Sequence, residues 1–244
     1  MSGHSKWNNI KRKKEKTDGQ RAKIFTKIGR EIAVAVKEGG GPDPASNSKL
    51  KDCIAKAKAN NVPNDNIERV IKKAMGEGKD TYEEILYEGY GPGGTAFLVE
   101  TLSDNRNRTA ANIRHYFDKF GGNLGQSGCV SFLFTQKGVI DLNADGVDEE
   151  AFMEDALEAG VEDYTFEDGV IECTVAPEGF SAAREYFDKK GFVFYSAEVA
   201  YLPSTTTHLD DPDQIKKIGL LIDHLEEDDD VQDIWHNWDE EDGE

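Results

Sequence analysis

The chain has 244 residues, of which 32% are charged and 37% hydrophobic, and a formal net charge of −19. No apolar run approaches the ~18 residues that a membrane-spanning helix needs, and the length favours two or three domains, each with a modest core. Cys53, Cys129 and Cys173 are far apart and outside any C-x-x-C pair, which argues against a disulfide framework or a zinc site and for small buried thiols.

The first thirty residues, MSGHSKWNNIKRKKEKTDGQRAKIFTKIGR, run against that net charge, with about ten Lys or Arg against about two acids. This leader lacks the ~7–15-residue apolar core of a secretory signal, and Glu15 and Asp18 do not suit a transit peptide, so a cytoplasmic location is expected. The bias extends further: residues 1–79 carry about +10 and residues 80–244 about −29, two electrostatic objects in one chain.

From Asp18 to Gly39, Phe25, Ile28, Ile32 and Val36 recur at helical spacing, with Asp18 as N-cap and the EGGG run as a stop. Lys23, Lys27, Arg30 and Lys37 fall on the opposite side, so one face packs and the other is expected to be cationic. Leu50, Cys53, Ile54 and Ala57 mark a second helix, and Ile67, Val70, Ile71 and Ala74 a third that closes at Gly76. Three short helices make a basic domain over 1–79, expected to be marginally stable and hinged through GEGKD.

The pattern then changes to strands. ILYEGY and TAFLVETL form a hairpin around GPGG, a helix runs from about Arg108 to Phe120, and CVSFLF is expected as the next strand. From Lys137 a complete β-α-β-β-α-β order appears: GVIDL, DEEAFMEDALEAG, YTFEDGVIECTV turning at Asp168-Gly169, SAAREYFDKKG and FVFYSAEVAYL. The preceding strands lack a second helix, which the segment Pro212 to Glu227 supplies. The expected fold class is α+β: an N-terminal three-helix domain, then a middle α/β domain over 80–135 and 203–244, interrupted by a ferredoxin-like domain over 136–202.

Several motifs fail on context. GYGPGG leads into a strand rather than the helix N-terminus that a phosphate loop requires, and GGNLGQSG does the same. Asp141, Asn143, Asp145 and Gly146 match a calcium loop, but position twelve is Phe152 and a strand precedes it, so a strand-to-helix turn is expected. The five histidines form no H-x-x-x-H or H-x-H pair and no nucleophile signature occurs, so no metal, cofactor, catalytic residue or small-molecule substrate is implied and the chain reads as a non-enzyme.

The strongest physical signal is the basic end. Lys6, Lys11, Arg12, Lys13, Lys14, Lys16 and Arg21, followed by Lys23, Lys27 and Arg30, give a cation density that a phosphate backbone rewards through counterion release, and Trp7 adds an aromatic able to stack on a base. A helix-turn-helix reading across NNVP would put Asn64, Asp65, Asn66 and Arg69 at the start of a recognition helix, where Asp65 suits phosphates badly; backbone binding is preferred. A second candidate is Asn105, Arg106, Asn107, Arg108 and Thr109, either a polar contact loop or a helix start with Asn107 as N-cap. The acidic end, LEEDDDVQDIWHNWDEEDGE, reads as solubilising, with Trp235 and Trp238 packing a last strand.

GHSKWNNIKRKKEKTDGQRAKIFTKIGREI, YEGYGPGGTAFLVETLSDNRNRTAANIRHYFDKFGGNLGQSGCVSFLF and DDDVQDIWHN together resemble the YebC/PmpR family of bacterial regulators, whose mitochondrial relative is the translational activator of cytochrome oxidase subunit one. The resemblance implies a three-domain cytoplasmic protein. It also implies one of two functions: a transcriptional regulator that binds DNA, or a ribosome-bound translation factor that grips ribosomal RNA and relieves stalling at proline-rich segments. DIWHN replaces a common Tyr before His-Asn, and an acidic tail follows.

Overall fold

The structure, a computed structural model, describes residues 18–76 and 81–239. In chain order its elements are α1 (Asp18–Glu38), α2 (Ser48–Ala59) and α3 (Asn64–Met75); β1 (Glu83–Tyr90), β2 (Ala96–Ser103), α4 (Arg106–Lys119) and β3 (Asn123–Leu124); β4 (Phe134–Asn143), α5 (Glu149–Ala159), β5 (Val161–Glu167), β6 (Val170–Val175), α6 (Phe180–Lys190) and β7 (Phe194–Pro203); and finally α7 (Pro212–Glu227) and β8 (Val231–His236).

In the bundle, Ile28, Ile32, Ala35 and Val36 of α1 close on Leu50, Cys53 and Ala57 of α2 and Ile67 of α3. Burial of these side chains supplies the stability that three short helices lack on their own. Buried Asn47 joins two helix ends: its Oδ1 accepts from Leu50 N at 2.9 Å to cap α2, and its Nδ2 donates to Ala35 O and Gly41 O at 2.8 Å. A Cβ on Gly39 would lie 2.4 Å from Asn47 Oδ1, so a glycine is required there by this close approach.

The middle layer is an antiparallel sheet in the order β3-β1-β2-β8, so the last strand of the chain completes a sheet begun far earlier. Helices α4 and α7 cover it, and Phe97 of β2 meets Phe117 of α4 edge to face at 5.7 Å. Trp238 is buried in this core whereas Trp235 on β8 is half-buried. The GYGPGG segment is a hairpin turn in which Gly93 has φ +68°; a Cβ there would stand 2.2 Å from Leu209 Cδ2.

In the chain, the inserted unit separates the two segments that build this layer. Its sheet order, β5-β6-β4-β7 with α5 and α6 as crossovers, is the ferredoxin-like arrangement. Phe152 and Phe187 stack at 5.8 Å to form the centre of its core. Residues 135–202 form one compact unit, and the bundle and middle layer together form the other. The DLNADGVDEEAF segment is a strand-to-helix turn, with Asp148 accepting from Ala151 N to cap α5. Among the described residues, no group of three or more His, Cys, Asp or Glu is placed to hold a metal, and no helix is long and apolar enough to cross a membrane.

One expected strand is not a strand. Within CVSFLF, residues 131–133 form a 3-10 turn and β4 begins only at Phe134. The cause is Glu88 of β1, which is buried and accepts backbone N–H groups from Gly128 (2.6 Å), Val130 (2.9 Å) and Ser131 (2.8 Å). Three donors converging on one carboxylate wrap the segment around it, so these N–H groups are unavailable to a ladder. Burial pushes the Glu88 carboxyl up, but these donors outweigh it and hold it below the usual carboxylate range. Glu88→Ala leaves three N–H groups without their acceptor and is expected to lower unfolding free energy by about 2–3 kcal/mol in urea titrations, with Glu88→Gln recovering part of the loss.

Candidate nucleic-acid interface

The leader residues Lys6, Trp7, Lys11, Arg12, Lys13, Lys14 and Lys16 lie outside the described residues; Arg21 falls in the first turn of α1. Lys23, Lys27 and Arg30 do share one face of that helix, as their spacing requires. The face is turned inward. Lys23 Nζ donates to Glu227 O at 3.0 Å and Lys27 Nζ to Glu226 O at 2.9 Å, both in the last turn of α7. Arg30 Nη1 reaches Asp229 O at 2.8 Å, Leu102 O at 2.9 Å and Asp230 Oδ1 at 2.7 Å.

The physical reason lies in the end of α7. The final carbonyls of a helix lack intrahelical donors and carry the negative end of its macrodipole, so cations from a neighbouring helix satisfy both needs. The acidic run that follows deepens this attraction. The expected solvated cationic stripe is therefore an internal contact, and the bundle is tied to the middle layer by more than the GEGKD connection.

The second candidate segment meets the first at the same carboxylate. Asp230 has a side chain only 4% exposed; its Oδ2 accepts from Arg108 Nη2 and from Thr109 Oγ1, both at 2.6 Å. Burial pushes the Asp230 carboxyl up, but hydrogen bonds from Arg108, Thr109 and Arg30 prevail and hold it below the carboxylate range. Asn105, not Asn107, is the N-cap of α4, accepting from Arg108 N at 3.1 Å. Arg106 pairs with Glu83 at 3.0 Å, Arg108 also with Asp104 at 2.8 Å, Thr109 is buried and Asn107 is exposed in the first turn. A cleft of about 440 Å³ lies here, lined by Lys23, Arg30, Arg108, Asn112 and Asp228 among others. Asp228 Oδ2 accepts from Tyr116 Oη at 3.1 Å and Asn112 Nδ2 at 3.2 Å. Every cation named here already faces an oxygen of its own chain, so this cleft presents little net positive charge to a phosphate.

Exposed cations stand on the outer helices instead. Lys51 and Lys58 of α2 and Arg69, Lys72 and Lys73 of α3 are all exposed. Lys56 of α2 turns toward the sheet, pairing with Glu31 at 2.8 Å and Asp233 at 3.7 Å. Beside it Glu100 of β2 is directly opposite Asp233 of β8, and burial, with the charges of Asp233, Glu84 and Glu31, pushes its carboxyl up to about 8 despite Lys56.

Family models match nearly the whole chain: the TACO1/YebC protein N-terminal domain over residues 5–77 and the TACO1/YebC second and third domain over 82–238. The chain belongs to the TACO1/YebC family. Among its relatives, a protein of Acetivibrio thermocellus is 60% identical over 98% of this chain and 99% of its own, and one of Ruminiclostridium cellulolyticum is 58% identical over 99% and 98%; each is named "Probable transcriptional regulatory protein". The crystal structure of a conserved hypothetical protein from Aquifex aeolicus has a TM-score of 0.82 at 44% identity, covering 92% of both chains. The Arg30–Asp230 contact joins the segments matched by the two TACO1/YebC models.

Sequence reasoning missed the acids of this site. Along the chain Asp228 and Asp230 belong to an acidic run that reads as solubilising, and the signal for them is indirect: Arg106 and Arg108, isolated cations in an acidic stretch, require partners somewhere. Asp230→Asn is expected to lower stability by roughly 2–4 kcal/mol, because it weakens three charge-assisted bonds around a buried group. Because the folded-state value of Asp230 is depressed, its contribution is present above the unfolded carboxylate range near ~4 and lost as pH falls through the folded value. Acid titration of the variant by circular dichroism checks this as a shallower loss of stability below that range.

Glu100 works in the opposite sense. Its folded state keeps a proton that the unfolded chain releases near ~4.3, so stability falls as pH rises from there to about 8. Glu100→Gln is expected to flatten this decline and raise the melting temperature most at pH 8–9, as read by calorimetry.

Proposed function

We propose that this chain is a non-enzymatic nucleic-acid-binding regulator of gene expression, cytoplasmic, which holds phosphate backbone through its basic domain of residues 1–79. The observation that carries this reading is the segregation of charge: about +10 on residues 1–79 against about −29 on the rest, with Lys51, Lys58, Arg69, Lys72 and Lys73 exposed on α2 and α3. The relatives' name, probable transcriptional regulatory protein, supports regulation. In this reading the leader cations from Lys6 to Lys16 and the outer faces of α2 and α3 contact the polyanion. Lys23, Lys27 and Arg30, engaged with residues 226–230, position the bundle. The acidic middle and inserted domains repel phosphate and confine contact to the basic domain.

A second reading, ribosomal RNA held by a translation factor, is favoured by one feature. At the start of α3, where a recognition helix would meet a major groove, Asp65 is exposed in the first turn and would face phosphates unfavourably. Crosslinking in cells followed by sequencing distinguishes the two targets. Promoter DNA without ribosomal RNA supports transcription, and the reverse supports translation.

Binding by the full chain is expected to weaken steeply as salt rises from 50 to 200 mM. Replacing Lys72 and Lys73 with Ala lowers the slope of log affinity against log salt by about one to two, because each lost phosphate contact removes ~0.7–0.9. Fluorescence anisotropy across a salt series measures it, and an unchanged slope places the contacts elsewhere.

A further inference from the structure

A groove of about 370 Å³ opens on the bundle between α1 and α3. Phe25, Gly29 and Ala33, spaced by four residues and so aligned along α1, face Val70 and Ala74 of α3 across it. Gly29 has no side chain and a Cβ there would lie 3.8 Å from Val70 Cγ2, so the two helices approach closely at this level and form the floor of the groove. Tyr82 also lines the groove, with the Arg30 guanidinium 5.2 Å from its ring centroid. Among the described residues the charged lining is cationic, Lys37, Arg69 and Lys73 joining Arg30 with no Asp or Glu, beside the neutral Thr26, Asn66 and Tyr82.

An apolar floor under a border whose charged groups are cations selects an occupant that is flat or apolar at one end and anionic at the other. A cationic peptide is disfavoured by sign, since it would meet Lys37, Arg69 and Lys73. A neutral apolar ligand satisfies the floor and leaves the border unused. A nucleotide within a strand satisfies both: its base enters against Phe25 and Tyr82, and the flanking phosphates meet Lys37, Arg69 and Lys73. Asn66, whose Oδ1 accepts from Arg69 Nη2 at 3.0 Å, supplies an amide at the border for a base edge. A base paired within a duplex cannot enter such a slot, so the occupant is an unpaired one.

We propose that the α1–α3 groove is a binding site for an unpaired nucleobase of a single-stranded nucleic acid, with its flanking phosphates held on the cationic border. The site deepens the nucleic-acid reading above and rests on it.

The test uses the full chain, a single-stranded RNA carrying one 2-aminopurine, and a duplex DNA of the same sequence. Binding of the single strand is expected to change 2-aminopurine fluorescence. Ala33→Leu, which fills the groove, is expected to weaken single-strand affinity about tenfold with the salt slope unchanged, and to leave duplex binding as it was. Lys73→Ala is expected to reduce the slope by ~0.7. Thermal melts show that each variant is folded, and Ala74→Leu fills the same groove from α3 if Ala33→Leu does not fold. Folded variants that bind the single strand as tightly as the parent, with no fluorescence change, overturn the groove and leave the nucleic-acid reading standing. Absence of any nucleic-acid binding by the parent chain overturns both. A groove variant that instead abolishes self-association in sedimentation assigns the groove to a second copy of the chain and overturns the proposal.

Discussion

Asp230 is the carboxylate on which the arrangement of the bundle and middle layer depends. It is buried, ionised and shared between Arg30 of α1 and Arg108 and Thr109 of α4, immediately before β8 completes the sheet. A buried carboxylate is costly unless its oxygens are fully bonded, and here three donors come from two helices far apart in the chain. The same contact that neutralises Asp230 also sets the rotation of α1: with Arg30 turned toward the middle layer, Lys23 and Lys27 reach the carbonyls that end α7.

That rotation has a functional consequence. The cations that look most available in the sequence are the ones used for internal attachment, and the outer faces of α2 and α3 become the bundle's exposed basic surface. It also leaves the line Phe25–Gly29–Ala33 beside α3, where small side chains and a cationic border form a groove. Charge has two roles in the chain: opposite signs hold the bundle to the acidic layer, and like signs across neighbouring strands of the layer, as between Glu100 and Asp233, oppose their pairing as pH rises.

Much of the fold was legible because its signals are local. The helices of the bundle follow from apolar spacing, the hairpin turns from Pro-Gly-Gly and Asp-Gly, the ferredoxin-like insertion from a complete β-α-β-β-α-β order, and the second helix of the interrupted domain from the apolar spacing of Pro212 to Glu227. The failure at CVSFLF has the opposite origin. An apolar run of six suggests a strand, yet its backbone donors are claimed by Glu88, about forty residues earlier, and no local pattern reveals that claim. Asn105 displaced Asn107 as cap for a smaller reason, since either side chain suits the role and backbone geometry decides between them.

The sequence by itself determined the order of the helices and the longer strands, the segregation of charge and the presence of cations on one helical face, because each depends on composition or on spacing along one stretch. Only the tertiary structure decided where that face points. Hydrogen-bond partners separated by some two hundred residues, Arg30 with Asp230 and Lys27 with Glu226, are brought together by a strand that returns from the C-terminus to complete the sheet. A charge has no assigned partner until such a return is made, and so the difference between a free basic stripe and an internal tether could not be read along the chain.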